Sequence, residues 1–160
     1  MNLETLVENL KEDLKNERKH MLFYLTNAST ITGLNRIEIK EFLLEEAASE
    51  MKHVEQFQNL ILGLDGKIDD FSHNQFDIFE DPYKILDYAL KMEIEVIYNY
   101  SRRIKEAQEL KDHNGLWVEI FLESQIANSR EDADQIKQML KIINWFNNFN
   151  YIFWKIYDFL

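Results

Sequence analysis

The sequence predicts an all-α protein, a four-helix bundle in which two antiparallel hairpins are joined by a long crossover. Three observations carry this prediction. The 160 residues include only four glycines and one proline, so few positions force a helix to break. Apolar residues recur at helical spacing along four long segments. The connection between the second and third segments is nearly twenty residues long, enough to run the length of a bundle.

The first two helices are predicted over residues 3–28 and 36–62. Each carries an apolar residue at every third or fourth position, which is the pattern of a helix with one buried face. The first ends in a polar, β-branched stretch before Gly33, and the second stops before Gly63. Because the loop between them is short, we expect them to pair as an antiparallel hairpin.

The third and fourth helices form the second predicted hairpin. Asp81-Pro82 opens the third, because proline suits the first helical turn and aspartate suits the position before it. The stretch 111–115 breaks that helix, and the fourth runs over residues 116–143. Residues 1–143 thus form the bundle. Residues 144–160 contain eight aromatic side chains, which predicts a short C-terminal helix or tail that packs on the same domain or on another subunit.

The charge balance indicates cations as partners. Eighteen lysines and arginines against 29 aspartates and glutamates give a net charge of -11, which argues against nucleic acid or an anionic membrane surface. The absence of cysteine removes disulfides, thiolate nucleophiles and cysteine metal sites. Neither a signal sequence nor a long apolar run is present, so a cytoplasmic protein is expected. Most of the acidic residues, Glu45 and Glu46 among them, are interpreted as lying on solvated helix faces.

Polar residues interrupt the apolar stripes at matching depth on three helices. Glu17, Glu50 and Glu93 each stand where an apolar residue is expected, and His53 lies one turn after Glu50. A carboxylate in an apolar interior must be paired or bound to metal, and no lysine or arginine lies at a matching inward position. Carboxylate and imidazole together are typical ligands of non-haem iron, with manganese or zinc as alternatives.

These residues also resemble a known family. Glu50-Met-Lys-His53, within EEAASEMKHVEQFQNLILGLDG, is similar to the second helix of bacterioferritins, and Asn16-Glu17 followed by Tyr24 resembles their first. The third helix resembles that of ferritins and bacterioferritins through Glu93, and the fourth resembles bacterial non-haem ferritins. The resemblance implies a ferritin-like bundle in which Glu17, Glu50, His53 and Glu93 hold two irons and Glu50 bridges them.

The fourth helix departs from the bacterioferritin pattern. It has no second Glu-x-x-His, because Glu123 is followed three residues later by Ile126. The resemblance to ferritins places Gln125 beside the second iron, so that iron is expected to bind more weakly. His20 forms a Glu-x-x-His with Glu17 and is either an extra ligand or, as its position at the margin of the inward face favours, a surface histidine.

Two further residues carry alternative roles. Tyr24 faces inward and either supplies an electron or hydrogen-bonds a bridging oxygen, or is a core tyrosine with a satisfied hydroxyl. Met51 stands where a methionine ligates haem between two bacterioferritin subunits. A thioether is a competent axial ligand, but an apolar interface residue is the favoured interpretation.

The leading hypothesis is a ferritin-like protein that binds ferrous iron and oxidises it with oxygen or peroxide, for iron storage or detoxification. Such a protein would have ferroxidase activity and would be a homo-oligomer; the family implies a 24-subunit shell. A second hypothesis is a di-iron enzyme without storage, such as a rubrerythrin-like peroxidase or a hydroxylase. A third is a metal-free helical assembly protein.

Overall fold

The protein is built of α-helices in the predicted order. The computed structural model describes the backbone of residues 1–157 and the side chains of residues 1–143. The helices are α1 (Leu3–Thr30), α2 (Arg36–Gly63), α3 (Pro82–Gln108) and α4 (His113–Tyr157). No strand occurs in this part of the chain. The predicted all-α four-helix bundle is confirmed, and α1 to α3 begin and end within two or three residues of their predicted limits.

Side-chain caps explain where the helices begin. The Oδ1 atom of Asn2 accepts a hydrogen bond from the backbone N of Thr5 at 2.8 Å, which starts α1. At α3, Oδ1 of Asp81 accepts from the backbone N of Lys84 at 3.0 Å, and Pro82 occupies the first turn. Each cap satisfies an amide that has no partner within its own helix. The predicted Asp-Pro start of the third helix is therefore confirmed.

The two hairpins and the crossover have the predicted connectivity. α1 packs along α2 and α3 packs along α4. The crossover, residues 64–81, runs beside α1 towards its C-terminal end. The backbone N of Asn74 donates to the carbonyl of Lys15 at 3.4 Å, and the Thr30 hydroxyl donates to the carbonyl of Phe79 at 2.6 Å. The crossover thus carries the chain along the bundle, so that α3 starts at the end where α1 finishes.

Polar contacts fix how the hairpins face each other. α1 lies antiparallel to α3, and α2 lies antiparallel to α4. The α1–α3 pairs are Asn9–Glu106, Asp13–Arg103, Glu17–Tyr100 and Tyr24–Glu93, and the α2–α4 pairs are Gln56–Gln125 and His53–Asn128. Each hairpin therefore presents charged and amide groups to the other at the middle of the bundle.

The pairs Glu17–Tyr100, Tyr24–Glu93 and His53–Asn128 lie in a layer across the middle of the bundle, called the polar layer below. The apolar interior is divided into two clusters, one on either side of this layer. The first contains Leu6, Leu10, Leu14, Phe57, Leu60, Ile61 and Leu122, and the second contains Phe23, Phe42, Leu43, Ile85, Leu86, Met92 and Ile136. Burial of these side chains supplies most of the driving force for folding. The polar layer is held in place by apolar packing above and below it.

α4 continues as one helix to Tyr157. The C-terminal segment predicted as a short helix or tail is thus continuous with α4 up to that residue. The side chains of residues 144–160 lie outside the described residues, so their predicted packing on this domain or on another subunit stays a prediction. Among the described residues, no helix contains an apolar stretch long enough to cross a membrane.

Candidate metal centre

Five metal-ligating side chains meet in the polar layer. Glu17 and His20 lie one turn apart on α1, Glu50 and His53 lie one turn apart on α2, and Glu93 comes from α3. Each is at most 7% exposed. Spacing of three residues places both members of a Glu-x-x-His pair on one helix face. The two hairpins thus point two such pairs and one further carboxylate at a common centre.

The first group of ligands consists of Glu17, Glu50 and His53. Their ligating atoms all lie within 4.8 Å of one another. The His53 Nδ1 atom is 3.0 Å from Oε2 of Glu50 and 3.5 Å from Oε2 of Glu17. The Nε2 atom of His53 lies 3.5 Å from the Asn128 side-chain amide, so the ring is oriented from both sides. One nitrogen and two carboxylates therefore surround one point.

The second group consists of His20, Glu50 and Glu93, again with ligating atoms within 4.8 Å. The His20 Nδ1 atom is 3.5 Å from Oε1 of Glu50 and 3.6 Å from Oε1 of Glu93. Glu50 turns Oε2 towards the first group and Oε1 towards the second. It is the carboxylate that the two groups share.

The expectation that His20 is a surface histidine is wrong. Its side chain is buried, with 2% of the residue exposed. The physical reason lies on the neighbouring helices, since the carboxylates of Glu50 and Glu93 offer the imidazole charged partners inside the bundle. The apolar pattern of α1 alone places His20 at the edge of the inward face. That pattern carries no information on the acids of α2 and α3 that face His20.

Two tyrosine hydroxyls donate hydrogen bonds to Glu17 and Glu93, the two carboxylates that each belong to a single ligand group. The Tyr24 hydroxyl donates to Oε1 of Glu93 at 2.8 Å, and the Tyr100 hydroxyl donates to Oε1 of Glu17. Burial and the adjacent carboxylates raise the pKa of both phenols well above the usual range, so both stay protonated donors. Sequence reasoning did not assign a role to Tyr100. The repeated spacing Glu17 to Tyr24 and Glu93 to Tyr100, in antiparallel helices, is the signal that identifies it.

The ionisable side chains of the centre shift one another's pKa values. Burial and the Glu50 charge raise the pKa of Glu17. Burial opposes charge on Glu50 as well, but its interactions with both histidines hold its pKa below the usual range. For His20 and His53, burial is outweighed by the neighbouring carboxylates, which raise each pKa to about 10. Without metal, both imidazoles are therefore protonated at neutral pH and serve as counter-ions to the acids.

The donor set fits divalent metal. Among residues 1–143, the ion-pair partners of Glu17, Glu50 and Glu93 are the two histidines alone. The Oε2 atom of Glu93 is buried and has no hydrogen-bond partner there. Buried carboxylates that lack lysine or arginine partners are stabilised by metal, and oxygen with imidazole nitrogen is a ligand set of iron, manganese and zinc.

Two other residues singled out in the sequence lie apart from these groups. Gln125 is 3% exposed on α4, and its Nε2 donates to Oε1 of Gln56 on α2 at 2.9 Å. Its amide therefore joins α4 to α2 beside the centre. Met51 lies on the outer side of α2 and is 59% exposed. Its role in haem binding stays a prediction.

The environment of Glu46 also differs from the prediction. It was expected on a solvated face, yet only 7% of it is exposed, and that expectation is wrong. Glu46 lies one turn before Glu50 on α2, on the side that faces α4. Burial, followed by the charge of Asp132 on α4, raises the pKa of Glu46 to about 8.

Comparison with known proteins agrees with the fold. The ferritin family, described as a ferritin-like domain, matches residues 7–144. A ferritin-like, diiron-carboxylate protein from Bacillus anthracis str. Ames is 28% identical, with a TM-score of 0.79 over 88% of this chain and 99% of that one. No curated protein matches the sequence significantly.

Two more distant structures share the fold. Bacterioferritin from Rhodobacter capsulatus, solved with a metal-free dinuclear site and haem iron, is 19% identical, with a TM-score of 0.81 over 88% of this chain and 86% of that one. A dodecameric thioferritin from Bacteroides fragilis is 18% identical, with a TM-score of 0.77 over 92% and 91% of the two chains. The family match covers most of the bundle, and this chain therefore belongs to the ferritin-like family.

Proposed function

We propose that this protein binds two ferrous ions in the polar layer and oxidises them with oxygen or peroxide, as a step in iron storage or detoxification. The observation that carries the proposal is the pair of ligand groups that share Glu50, one oxygen towards each group. A bridging carboxylate flanked by two nitrogen and two further oxygen donors suits two metal ions about 3.5–4 Å apart.

Each ion has the same kinds of donor in this arrangement. Glu17 and His53 serve one ion, His20 and Glu93 serve the other, and Glu50 serves both. The fourth helix has no Glu-x-x-His, and His20 of α1 supplies the nitrogen donor for the second ion instead. The two ions are therefore expected to bind with comparable affinity, in place of the weaker second site inferred from the sequence, and Gln125 is not required as a ligand.

The chain's own groups prepare the site for reaction. Two ferrous ions supply two electrons, which reduce oxygen and two protons to hydrogen peroxide, or hydrogen peroxide and two protons to water. Tyr24 and Tyr100 hold Glu93 and Glu17 in place by hydrogen bonds. Both histidines must lose a proton to ligate metal, so loading the site releases protons at neutral pH. The apolar clusters on either side limit entry of water and of other reductants.

Aerobic loading with ferrous iron tests the proposal. The protein is freed of metal, loaded anaerobically and exposed to air, while ferric absorbance and retained iron per chain are measured. Glu50→Ala should abolish rapid oxidation, and Glu45→Ala, which removes an exposed acid of the same helix, should retain it. Many irons retained per chain indicate storage, whereas two or fewer favour a di-iron enzyme. Oxidation equal in the two variants would refute the proposed centre.

Storage also requires an enclosed volume, so we propose that the protein is a homo-oligomeric shell. The Bacteroides fragilis relative is a dodecamer, which is one assembly compatible with this fold, and the resemblance to bacterioferritins implies 24 subunits. Light scattering on the purified protein measures the assembly directly. A monomer or dimer at micromolar concentration would remove storage from the proposal and leave the oxidation step.

A further inference from the structure

Arg18 is a buried arginine with two nitrogen atoms that lack partners. It lies on α1 beneath the crossover, and 2% of the residue is exposed. Its Nη1 donates to the carbonyl of Ser72 at 3.0 Å, and its Cζ lies 4.6 Å from the centre of the Phe71 ring. Its Nε and Nη2 are buried and have no hydrogen-bond partner among residues 1–143. Buried donors without an acceptor are costly, so these two atoms mark a place where an acceptor would be stabilised.

The edge of Arg18 without partners is the one that suits an oxyanion. The N–H groups of Nε and Nη2 lie side by side and match two oxygens of a carboxylate or a phosphate. Arg103, which is buried to a similar degree, uses the same edge to bind both oxygens of Asp13, at 2.8 and 3.2 Å. The acid paired with Arg18 is Asp70, which lies 3.6 Å from Nη1 and accepts hydrogen bonds from the backbone and hydroxyl of Ser72.

Arg18 lines a cleft between α1 and the start of the crossover. The cleft has a volume of about 170 Å³. One water molecule needs only about 10–15 Å³ of cavity, so the cleft has room for a small anion together with water. Its other charged lining residues are basic (Lys11, Lys15 and Lys67) and acidic (Glu8, Glu12, Asp69 and Asp70).

The basic side chains of the cleft are able to turn towards a bound anion. Lys11 pairs with Glu8 at 2.8 Å, and Lys15 pairs with Glu12 at 2.5 Å, in each case across one turn of α1. These acids are largely exposed, and exposed ion pairs contribute little free energy, so either ammonium group exchanges its partner at low cost. Lys67 is exposed on the crossover.

We propose that this cleft binds a small tetrahedral oxyanion such as inorganic phosphate. Two of its oxygens accept from Nε and Nη2 of Arg18, and the other two are within the region that the three lysines line. A carboxylate has only the two oxygens that the guanidinium edge takes, so phosphate should bind more tightly than acetate. The site lies on the crossover side of α1 and shares no ligand with the two-metal centre, so it does not depend on the proposed function.

Calorimetric titration of the full-length, metal-free protein with sodium phosphate at constant ionic strength tests the proposal. The unmodified protein should bind one phosphate per chain and should bind acetate more weakly. Arg18→Gln should weaken phosphate binding by about tenfold or more, because two charge-assisted hydrogen bonds are lost. Arg18→Lys keeps the charge without the paired donors and should also weaken it. The matched control is Arg102→Gln, which removes an exposed arginine of α3 and should bind as the unmodified protein does.

Several outcomes would overturn the oxyanion site. These are an absence of saturable phosphate binding, equal affinity in Arg18→Gln and the unmodified protein, full affinity in Arg18→Lys, or equal weakening in Arg102→Gln, which would identify general surface charge as the cause. If the Arg18 variants do not fold, Lys67→Gln at an exposed position replaces them and should weaken phosphate binding severalfold, whereas unchanged binding would refute the site. Because no metal is present, failure of the two-metal centre leaves these results unaffected.

Discussion

At the scale of single residues, the centre depends on which carboxylate is shared. Glu50 contacts both histidines through different oxygens, whereas Glu17 and Glu93 each meet one. Under the proposed function, removal of Glu50 should therefore affect both ions, and removal of an outer ligand should affect one. This asymmetry allows the role of each ligand to be measured separately.

His20→Ala should weaken the binding of one of the two central ions. The variant leaves Glu17, Glu50 and His53 in place, so the first ion should bind as before, while affinity for the second falls by about tenfold or more because it loses its only nitrogen donor. Calorimetric titration of the metal-free protein with Zn²⁺ measures both affinities. His73→Ala is the control, because His73 is exposed on the crossover. Two unchanged affinities in His20→Ala would exclude His20 as a ligand.

Glu46→Gln should change how stability depends on pH in the metal-free protein. The folded-state pKa of Glu46 is about 8, against an ordinary value of 4.5. Below the lower value the acid is protonated whether folded or unfolded. As pH rises between them, only the unfolded chain releases the proton freely, so the folded state loses stability, and the loss is complete above about 8.

Urea unfolding at pH 5 and pH 8 in the presence of a chelator measures this effect. Glu46→Gln should gain stability relative to the unmodified protein, and the gain should be larger at the higher pH. Glu45→Gln, at an exposed neighbour, should show almost no difference between the two pH values. An equal gain for Glu46→Gln at both would mean that the buried carboxyl is not the cause.

The sequence predicts Glu17, Glu50, His53 and Glu93 as site candidates because each interrupts an apolar stripe on its own helix. His20 and Glu46 escape the same reasoning, since each is buried by partners on a different helix. The carboxylates of α2 and α3 face His20, and α4 covers Glu46. Periodicity along one helix carries no information on what the neighbouring helix presents.

At the scale of the elements, a buried ion pair joins α1 to α3 beside the centre. The Arg103 Nε and Nη2 atoms donate to the two carboxylate oxygens of Asp13 at 2.8 and 3.2 Å, and Nη1 also donates to Glu106. Burial raises the pKa of Asp13 to about 6 although the guanidinium opposes the shift. The pair costs desolvation, so its main effect is to fix the register of the two helices.

Arg103→Met should destabilise the fold by about 3–5 kcal/mol, because it leaves Asp13 buried without its partner. The double variant Asp13→Asn, Arg103→Met should recover most of this loss, since no uncompensated charge remains. Chemical denaturation of both variants gives the free energies of unfolding. A double variant as unstable as Arg103→Met alone would show that packing of the arginine side chain, and not charge, dominates.

The helix limits could be predicted because their signals are local. Asp81-Pro82 caps α3 through atoms three residues apart, and Gly33 has a φ of +87°, which favours glycine in the turn between α1 and α2. For the crossover, the sequence predicts the length of the segment but not the path that it takes. Its contacts, such as Thr30 with the carbonyl of Phe79, join residues far apart in sequence and have no periodic pattern.

At the scale of the whole molecule, the buried carboxylates that the proposed function requires also lower the stability of the fold. Two apolar clusters drive the bundle together, and their burial forces the layer between them to hold several carboxylates out of water. In the metal-free protein, protonated histidines only partly offset this charge. Under the proposed function, divalent cations would complete the compensation, which would give metal binding and the stability of the fold a common cause.

Divalent metal should therefore stabilise the entire bundle. A ligand that binds only the folded state at a hundred times its dissociation constant adds about 2.7 kcal/mol per site. For a domain of this size, each 1 kcal/mol raises the melting temperature by about 2–4 °C, so one site alone gives roughly 5–10 °C. Thermal unfolding followed by circular dichroism, with Zn²⁺ or with a chelator, measures the shift.

Two variants decide whether the central layer causes this stabilisation. Glu50→Ala removes the shared ligand and should lose most of the metal-dependent shift. Because it also removes the counter-ion that His20 and His53 share, it should melt lower than the unmodified protein when chelator is present. Glu45→Ala should keep the full shift. If Zn²⁺ raised the melting temperature equally in both variants, the cation would be acting on the acidic surface, and the centre would not be the link between metal and fold.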